Sequence, residues 1–362
     1  MKVFLRLIEK IRPTFEAGGK LHLLHPAFDA IEHFLFAPAQ TTTTAPHVRD
    51  PLDLKRFMSM VIIALVPSIL AGLYFFGLRF IAITIVSYAA GLTIELLFAM
   101  VRKEGINEGF FVTGMLFPLI MPPAVPLWMV ALGVAFGVFI GKEIFGGTGR
   151  NLFNPALVGR CFLALAYPAQ MSGGWLAPAT DVGGRLLKYV DASSVDALTT
   201  ATPLALAKQG EYVSTAHMFL GSVSGSFGET SAIAILAGGI FLLLTRVANW
   251  RSVVSTLASF AILAAILRHA NPDRFGPVSW HLCAGGLLFG AFFMTTDPVT
   301  GPATNCGKWF YGAVIGVTAV LIRNFTGYVE GVTFAILLGN IVAPILDEAV
   351  FAVRLRRLKV EG

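Results

Sequence analysis

The sequence predicts an all-α polytopic membrane protein of about ten transmembrane helices, in two inverted five-helix repeats with broken third and eighth helices. Three observations carry that expectation. First, 56% of the 362 residues are apolar and only 13% are charged, against about 25% charged in a soluble domain, and the mean hydropathy is +0.74. Second, ten apolar segments recur, at roughly 57–77, 79–101, 109–122, 127–144, 152–168, 230–246, 251–268, 282–295, 309–323 and 329–351. Third, the third and eighth fall short of the ~20 residues of a straight crossing. Both run into breaker-rich sequence, Met121-Pro-Pro-Ala-Val-Pro126 and Thr296-Asp-Pro-Val-Thr-Gly-Pro302. Interrupted spans at matching positions of two halves point to a site between repeats.

Taken in order, residues 1–56 mix Lys2, Arg6, Lys10 and Arg12 with Glu9 and Glu16. They hold no long apolar core and read as a cytoplasmic extension rather than a signal peptide. Within them Val3-Phe-Leu5, Leu7-Ile8 and Ile11 suggest a short amphipathic surface helix, and residues 37–46 a linker. Residues 57–168 form the first transmembrane repeat, 169–229 a polar loop, and 230–362 the second repeat with a short tail. Gly114-Met-Leu-Phe117 matches Gly286-Leu-Leu-Phe289, and Gly141-Lys-Glu-Ile-Phe-Gly146 matches Gly307-Lys-Trp-Phe-Tyr-Gly312. Five crossings per half is an odd number, so the second half is inverted. Arg102-Lys103, Lys142 with Arg150, Arg246 with Arg251, Lys308 and the Arg354 to Lys359 tail all fall on one side of a ten-span chain. Positive-inside counting then makes both termini cytoplasmic and the 169–229 loop external. The net charge of +6 belongs to those loops. No basic run is interleaved with aromatics, so no nucleic-acid partner is expected.

Ionisable residues in lipid are costly and mark function. Glu95 lies in the second span and Asp347 near the inner end of the tenth, while Glu143, Asp297 and Glu330 sit at span ends or breaks. Carboxylates with helix-end carbonyls are ligands for a hard cation such as Na⁺. Cys161, Cys283 and Cys306 are far apart and show no metal-ligand spacing. The densest polar and glycine run is Gly146-Gly-Thr-Gly-Arg-Asn-Leu-Phe-Asn-Pro-Ala-Leu-Val-Gly159. Its glycines permit close approach to a flat ligand, and Asn151 and Asn154 both donate and accept. Asn154-Pro155 is equally a plain helix start. In the long loop, Asp196-Ala-Leu-Thr-Thr-Ala-Thr202 resembles the flavinylation motif D-x-x-[S/T]-G-A-[S/T], whose last hydroxyl is esterified by the phosphate of FMN. Asp196, Thr199, Ala201 and Thr202 fit, and Thr200 stands where glycine is usual.

These stretches, with His47-Val-Arg-Asp-Pro-Leu-Asp-Leu-Lys-Arg56 before the first span and Thr296-Asp-Pro-Val…Gly-Lys-Trp in the second half, are similar over essentially the whole chain to one family. It is the NqrB/RnfD family, which joins NqrB of the Na⁺-translocating NADH:quinone oxidoreductase (Nqr) to its paralogue RnfD of the Rnf complex. The long N-terminus and its His-Val-Arg-Asp entry favour the quinone reductase. The resemblance implies covalent FMN on Thr202, attached by a flavin transferase, and non-covalent riboflavin near Asn151 and Asn154. It implies a quinone region at Gly91 and Glu95, where Leu92 replaces an expected second glycine. It also implies a Na⁺ path at Asp347 and Glu95, ubiquinone as acceptor, five partner subunits, and residence in a bacterial inner membrane. Electrons would then run from NADH, bound elsewhere, through FMN and riboflavin to quinone as Na⁺ is exported. The loop from Met171 to Val195 looks longer than the family pattern. The competing expectations are an RnfD-type protein, or a urea-channel-like transporter without redox chemistry, since fold does not fix function.

Overall fold

The structure is a computed structural model that describes residues 54–103, 109–179, 183–186, 188–189, 200–272, 274–328 and 331–361, with residues 11–15 and single positions before 33. The linker at 37–46, Glu330, Asp196 and Thr199 lie outside the described residues, as does most of the expected amphipathic segment; residues 11–15 are helical.

Each of the ten apolar segments contains helix, and no strand occurs among the described residues. In the first half these are α1 (Leu54–Phe76), α2 (Arg79–Arg102), α3 (Gly109–Leu119), α4 (Leu127–Gly141) and α5 (Pro155–Ala166). Short helices α6 (Pro168–Gly173), α7 (Pro203–Lys208) and α8 (Thr215–Leu220) fill the connecting loop. The second half holds α9 (Ala232–Leu244), α10 (Trp250–Ala270), α11 (Val278–Cys283), α12 (Leu287–Phe289) with a π-turn over Gly290–Met294, α13 (Asn305–Phe325) and α14 (Val332–Glu361).

Six helices are long and apolar enough to span a bilayer, and only 22–50% of each apolar window is buried inside the chain. Their outer faces, with Ile85 62% exposed and Val101 80% exposed, are apolar surface suited to lipid or to other membrane helices. Shortness extends beyond the third and eighth segments: α5 and α9 are also short apolar helices. The cause is local punctuation. Asn154 caps α5, and its Oδ1 accepts from Ala156 N at 3.0 Å, while Tyr167-Pro168 closes it. Ser231 caps α9.

The interruptions are held by buried arginines. After α3, whose last turn carries Pro118, the chain turns through 120–126, and Arg79 Nη2 donates to Val125 O at 2.9 Å. Gly228 N donates to the α3 end carbonyl, Leu119 O, at 2.8 Å. Between α11 and α12, Gly285 takes φ +64°. There Arg323 donates to His281 O at 2.7 Å and to Ala284 O at 3.0 Å. Freed backbone carbonyls thus find charged donors, as they must where water is absent.

Packing repeats between halves. α2 lies along α4 and α4 along α5, as α10 lies along α13 and α13 along α14; α1 meets α9 across the two halves. The α10–α13 crossing is close. A Cβ at Gly316 would sit 2.0 Å from Ser259 Oγ and 2.5 Å from Thr256 O, and one at Gly312 would sit 2.8 Å from Ser252 O. Small residues one turn apart allow this approach. Gly316→Val is expected to force the helices apart and to lower the yield of monodisperse protein in detergent several-fold; unchanged yield would show that the crossing has slack.

Candidate functional site

Thr202 is the N-cap of α7: its Oγ1 accepts from Ala205 N at 3.3 Å, and Pro203 follows at the first helical position. The residue is 7% exposed. It lies between two cavities. One, of about 490 Å³, is lined by Trp175, Leu204, Ser226, Glu229, Thr230 and Cys283 among others. The other, of about 1020 Å³, has Arg160, Met171, Trp175, Tyr328 and Phe334 on its walls. Arg160 Nη1 donates to Glu229 Oε1 at 2.8 Å, a buried pair between α5 and the loop before α9. Thr230 Oγ1 is buried there without a hydrogen-bond partner among the described residues. Thr200, at the motif's glycine position, hydrogen-bonds Ser224 Oγ through its hydroxyl and donates from its amide to Trp175 O at 3.2 Å. Ala201 is exposed beside it. Lys208, at the C-terminal end of α7, donates to Thr326 O at 3.0 Å and Tyr328 O at 2.9 Å. Burial pulls its ammonium below the usual lysine value.

A third cavity, of about 690 Å³, lies between the halves. Asn151, Asn154, Lys142, Thr148 and Asp297 supply its polar lining, and Phe57, Leu116 and Phe293 part of its apolar wall. Asn151 is engaged within its own loop, accepting from Gly149 N at 3.2 Å and donating to Phe153 O at 3.0 Å. Asn154 spends its Oδ1 on the α5 cap. Thr148 Oγ1 is another buried hydroxyl without a partner among the described residues. Asp297 sits in the break after the π-turn, where Val299 N donates to it at 3.0 Å and Thr300 Oγ1 at 3.1 Å.

Glu95 and Gly91 do not line these cavities. Glu95, 4% exposed, forms an ion pair with Lys142, 3% exposed. A Cβ on Gly91 would lie 2.7 Å from the Phe110 ring and 3.0 Å from Val134, so the glycine is a packing site between α2, α3 and α4. Glu143 pairs with Arg102 at 2.7 Å. Asp347 braces Thr304, the N-cap of α13: Ala303 N donates to the carboxylate at 2.7 Å, Thr304 N at 3.0 Å and Thr304 Oγ1 at 2.6 Å. Glu95 and Asp347 share no partner. Among the described residues no group of three or more His, Cys, Asp or Glu is placed to hold a metal ion.

Several residues here were missed by the sequence reading. Asn340, fully buried on α14, donates to Thr300 O at 3.2 Å and Tyr311 Oη at 3.1 Å, and accepts from Asn154 N at 3.4 Å. Arg160, Glu229, Arg79 and Arg323 belong with it. A buried charge in an apolar helix was the available cue, and it could have flagged Arg160, Arg79 and Arg323.

The fold and these lined cavities define a multi-pass helical membrane protein with polar sites inside its bundle. The chain belongs to the NQR2, RnfD, RnfE family, whose profile matches residues 41–355. It is 39% identical over 406 aligned positions to the NqrB subunit of the Na⁺-translocating NADH-quinone reductase of Azotobacter vinelandii, covering 98% of each chain. It is 40% identical over 413 positions to the NqrB subunit of Klebsiella pneumoniae strain 342, covering 98% of this chain and 99% of the relative. The NqrB subunit of Pseudomonas aeruginosa strain PAO1 is 38% identical over 402 positions, with 97% of each covered. Each alignment is longer than the 362-residue chain, so these relatives carry segments that this chain lacks.

Proposed function

We propose that this chain is the NqrB membrane subunit of a Na⁺-translocating NADH:quinone reductase, carrying covalent FMN on Thr202 and riboflavin between its halves. The full-length match to proteins of that name carries the reading. An RnfD-type protein or a flavin-free channel is not favoured by it. When bound, flavins supply one- and two-electron redox chemistry. The residues fit such groups. At Thr202 a buried hydroxyl adjoins two cavities, an indole and an unpartnered Thr230 hydroxyl. Between the halves an apolar slot carries Asn154, Thr148 and Asp297.

In this reading Thr202 tethers the phosphate, with Asp196, Thr199 and Ala201 completing the motif that the flavin transferase reads. Trp175 walls both Thr202 cavities and supplies a flat apolar face. Arg160 brings a cation to the larger one, held in place by Glu229. Asn154 and Thr148 offer hydrogen-bond groups to a ring edge, and Asn151 shapes the loop that presents them. Gly91 and Glu95 serve the quinone region by positioning α2 against α3 and α4. For Na⁺, Asp347 and Glu95 are the carboxylates of the path, each already satisfied by its own donors. The two halves are inverted repeats of five crossings, counting the broken helices, with domains bounded at residues 56, 168 and 229. Both termini face the cytoplasm and the Thr202 loop the periplasm of a bacterial inner membrane. Ubiquinone, Na⁺ and the remaining subunits of the complex are the partners.

The test is the intact mass of the denatured chain, co-expressed with a flavin transferase and then peptide-mapped. An FMN adduct, less water, on the Thr202 peptide is expected. An unmodified chain would remove the electron-transfer reading and bring the channel forward.

A further inference from the structure

We propose that the cleft between the N-termini of α10 and α13 binds the phosphodiester of an anionic phospholipid head group. The cleft measures about 1140 Å³ and is lined by Arg246, Asn249, Trp250, Arg251 and Lys308, with Asp297 at its inner wall. Three cations therefore face one space, where the single acid already accepts two hydrogen bonds.

Both helices point their positive ends at this end of the bundle, since each starts beside the cleft. The α13 start is already answered by the carboxylate of Asp347. The α10 start has only the neutral Asn249, whose Oδ1 accepts from Arg251 N at 3.0 Å, and has no acidic residue in its first turn. One helix end is thus matched by an anion of the chain and the other is not. A helix N-terminus beside basic side chains is a phosphate site.

Two further features choose a lipid as the source. Trp250 and Trp309 stack edge to face with centroids 5.6 Å apart, and both are exposed. Exposed tryptophans at the ends of apolar spans mark the bilayer interface. Arg251 lies over the Trp250 ring at 4.9 Å, so the indole joins the cation to that level. Basic pockets between membrane helices on the cytoplasmic side suit anionic head groups. The cleft shares the Asp297 wall with the flavin slot proposed above, but none of the three cations and neither tryptophan belongs to that slot, so variants at the cations test the lipid reading alone.

The test uses the full chain in its assembled complex, in nanodiscs of phosphatidylcholine with graded phosphatidylglycerol. Lipid retained after detergent re-extraction is counted by mass spectrometry. Each basic residue near the surface is worth about fivefold in binding, so Arg246→Gln with Arg251→Gln is expected to weaken phosphatidylglycerol retention about 30-fold. The charge-keeping pair Arg246→Lys with Arg251→Lys retains it. If the glutamine pair does not assemble, Lys308→Gln is measured instead, with about a fivefold loss expected. Equal retention of the two lipids by the unaltered complex would overturn the proposal, as would retention unaffected by the glutamine variants. Displacement by millimolar inorganic phosphate as readily as by phosphatidylglycerol would make this a free-phosphate site and overturn the lipid assignment.

Discussion

Thr202→Ala is expected to yield a folded chain with no covalent flavin, while Thr202→Ser keeps the adduct. Phosphoester formation replaces the hydroxyl proton, and the cap uses only the oxygen, as an acceptor from Ala205 N. Attachment therefore breaks no hydrogen bond that Thr202 donates within the described structure. Loss of an N-cap hydroxyl costs about 1 kcal/mol, and α7 has six residues outside the main apolar bundle. The damage stays local, so flavin loss and misfolding separate cleanly. In-gel flavin fluorescence after denaturation, read beside the fraction of monodisperse protein, makes the distinction. Covalent flavin surviving in the alanine variant would sink the assignment to Thr202.

Lys142→Met is expected to destabilise the protein by about 3–5 kcal/mol, because it strands the Glu95 carboxylate in the interior. Both members of the pair are nearly inaccessible, and their segments lie 47 residues apart in sequence. Adding Glu95→Gln removes the stranded charge, so the double variant should recover most of the loss. A buried ion pair set against neutral groups of similar size is close to neutral in stability. Thermal unfolding in detergent, compared across the two single variants and the double, measures the coupling. If the double variant is as unstable as Lys142→Met, the pair is not what holds α2 against the α4 end.

The ten apolar segments and the two breaks were legible because each rests on local chemistry: runs of apolar residues, and proline or glycine at their ends. The Asn154 cap was legible for the same reason, from Asn followed by Pro. What the chain order hides is pairing across halves. Glu95 signalled function as a lone acid in an apolar helix, yet nothing nearby named Lys142 as its partner. Asp347 read as a cation ligand from its place in the last span alone, and nothing nearby named residues 303 and 304, whose amides donate to it. Gly91 read as part of a quinone region, and only the fold shows that it also makes room for the Phe110 ring. Thr200 stands where the motif usually has glycine, and its hydroxyl meets Ser224, a partner 24 residues away that the motif could not name. Short α5 and α9 escaped notice because the segments drawn at 152–168 and 230–246 counted their caps, Asn154 and Ser231, and the residues beyond the helix ends as part of the span.

Asn340 has a mechanical consequence. Its one amide group spends both N–H bonds and its oxygen on three separate elements: the loop after the π-turn, the middle of α13 and the start of α5. Hydrogen bonds weaken steeply with small changes in distance and angle, and no water reaches a residue with 0% exposure to replace a lost one. A shift of the Asp297 loop therefore pulls on the same amide that grips the Asn154 turn. The two walls of the central cavity behave as one latch, and a motion that opens one of them must release or carry the other.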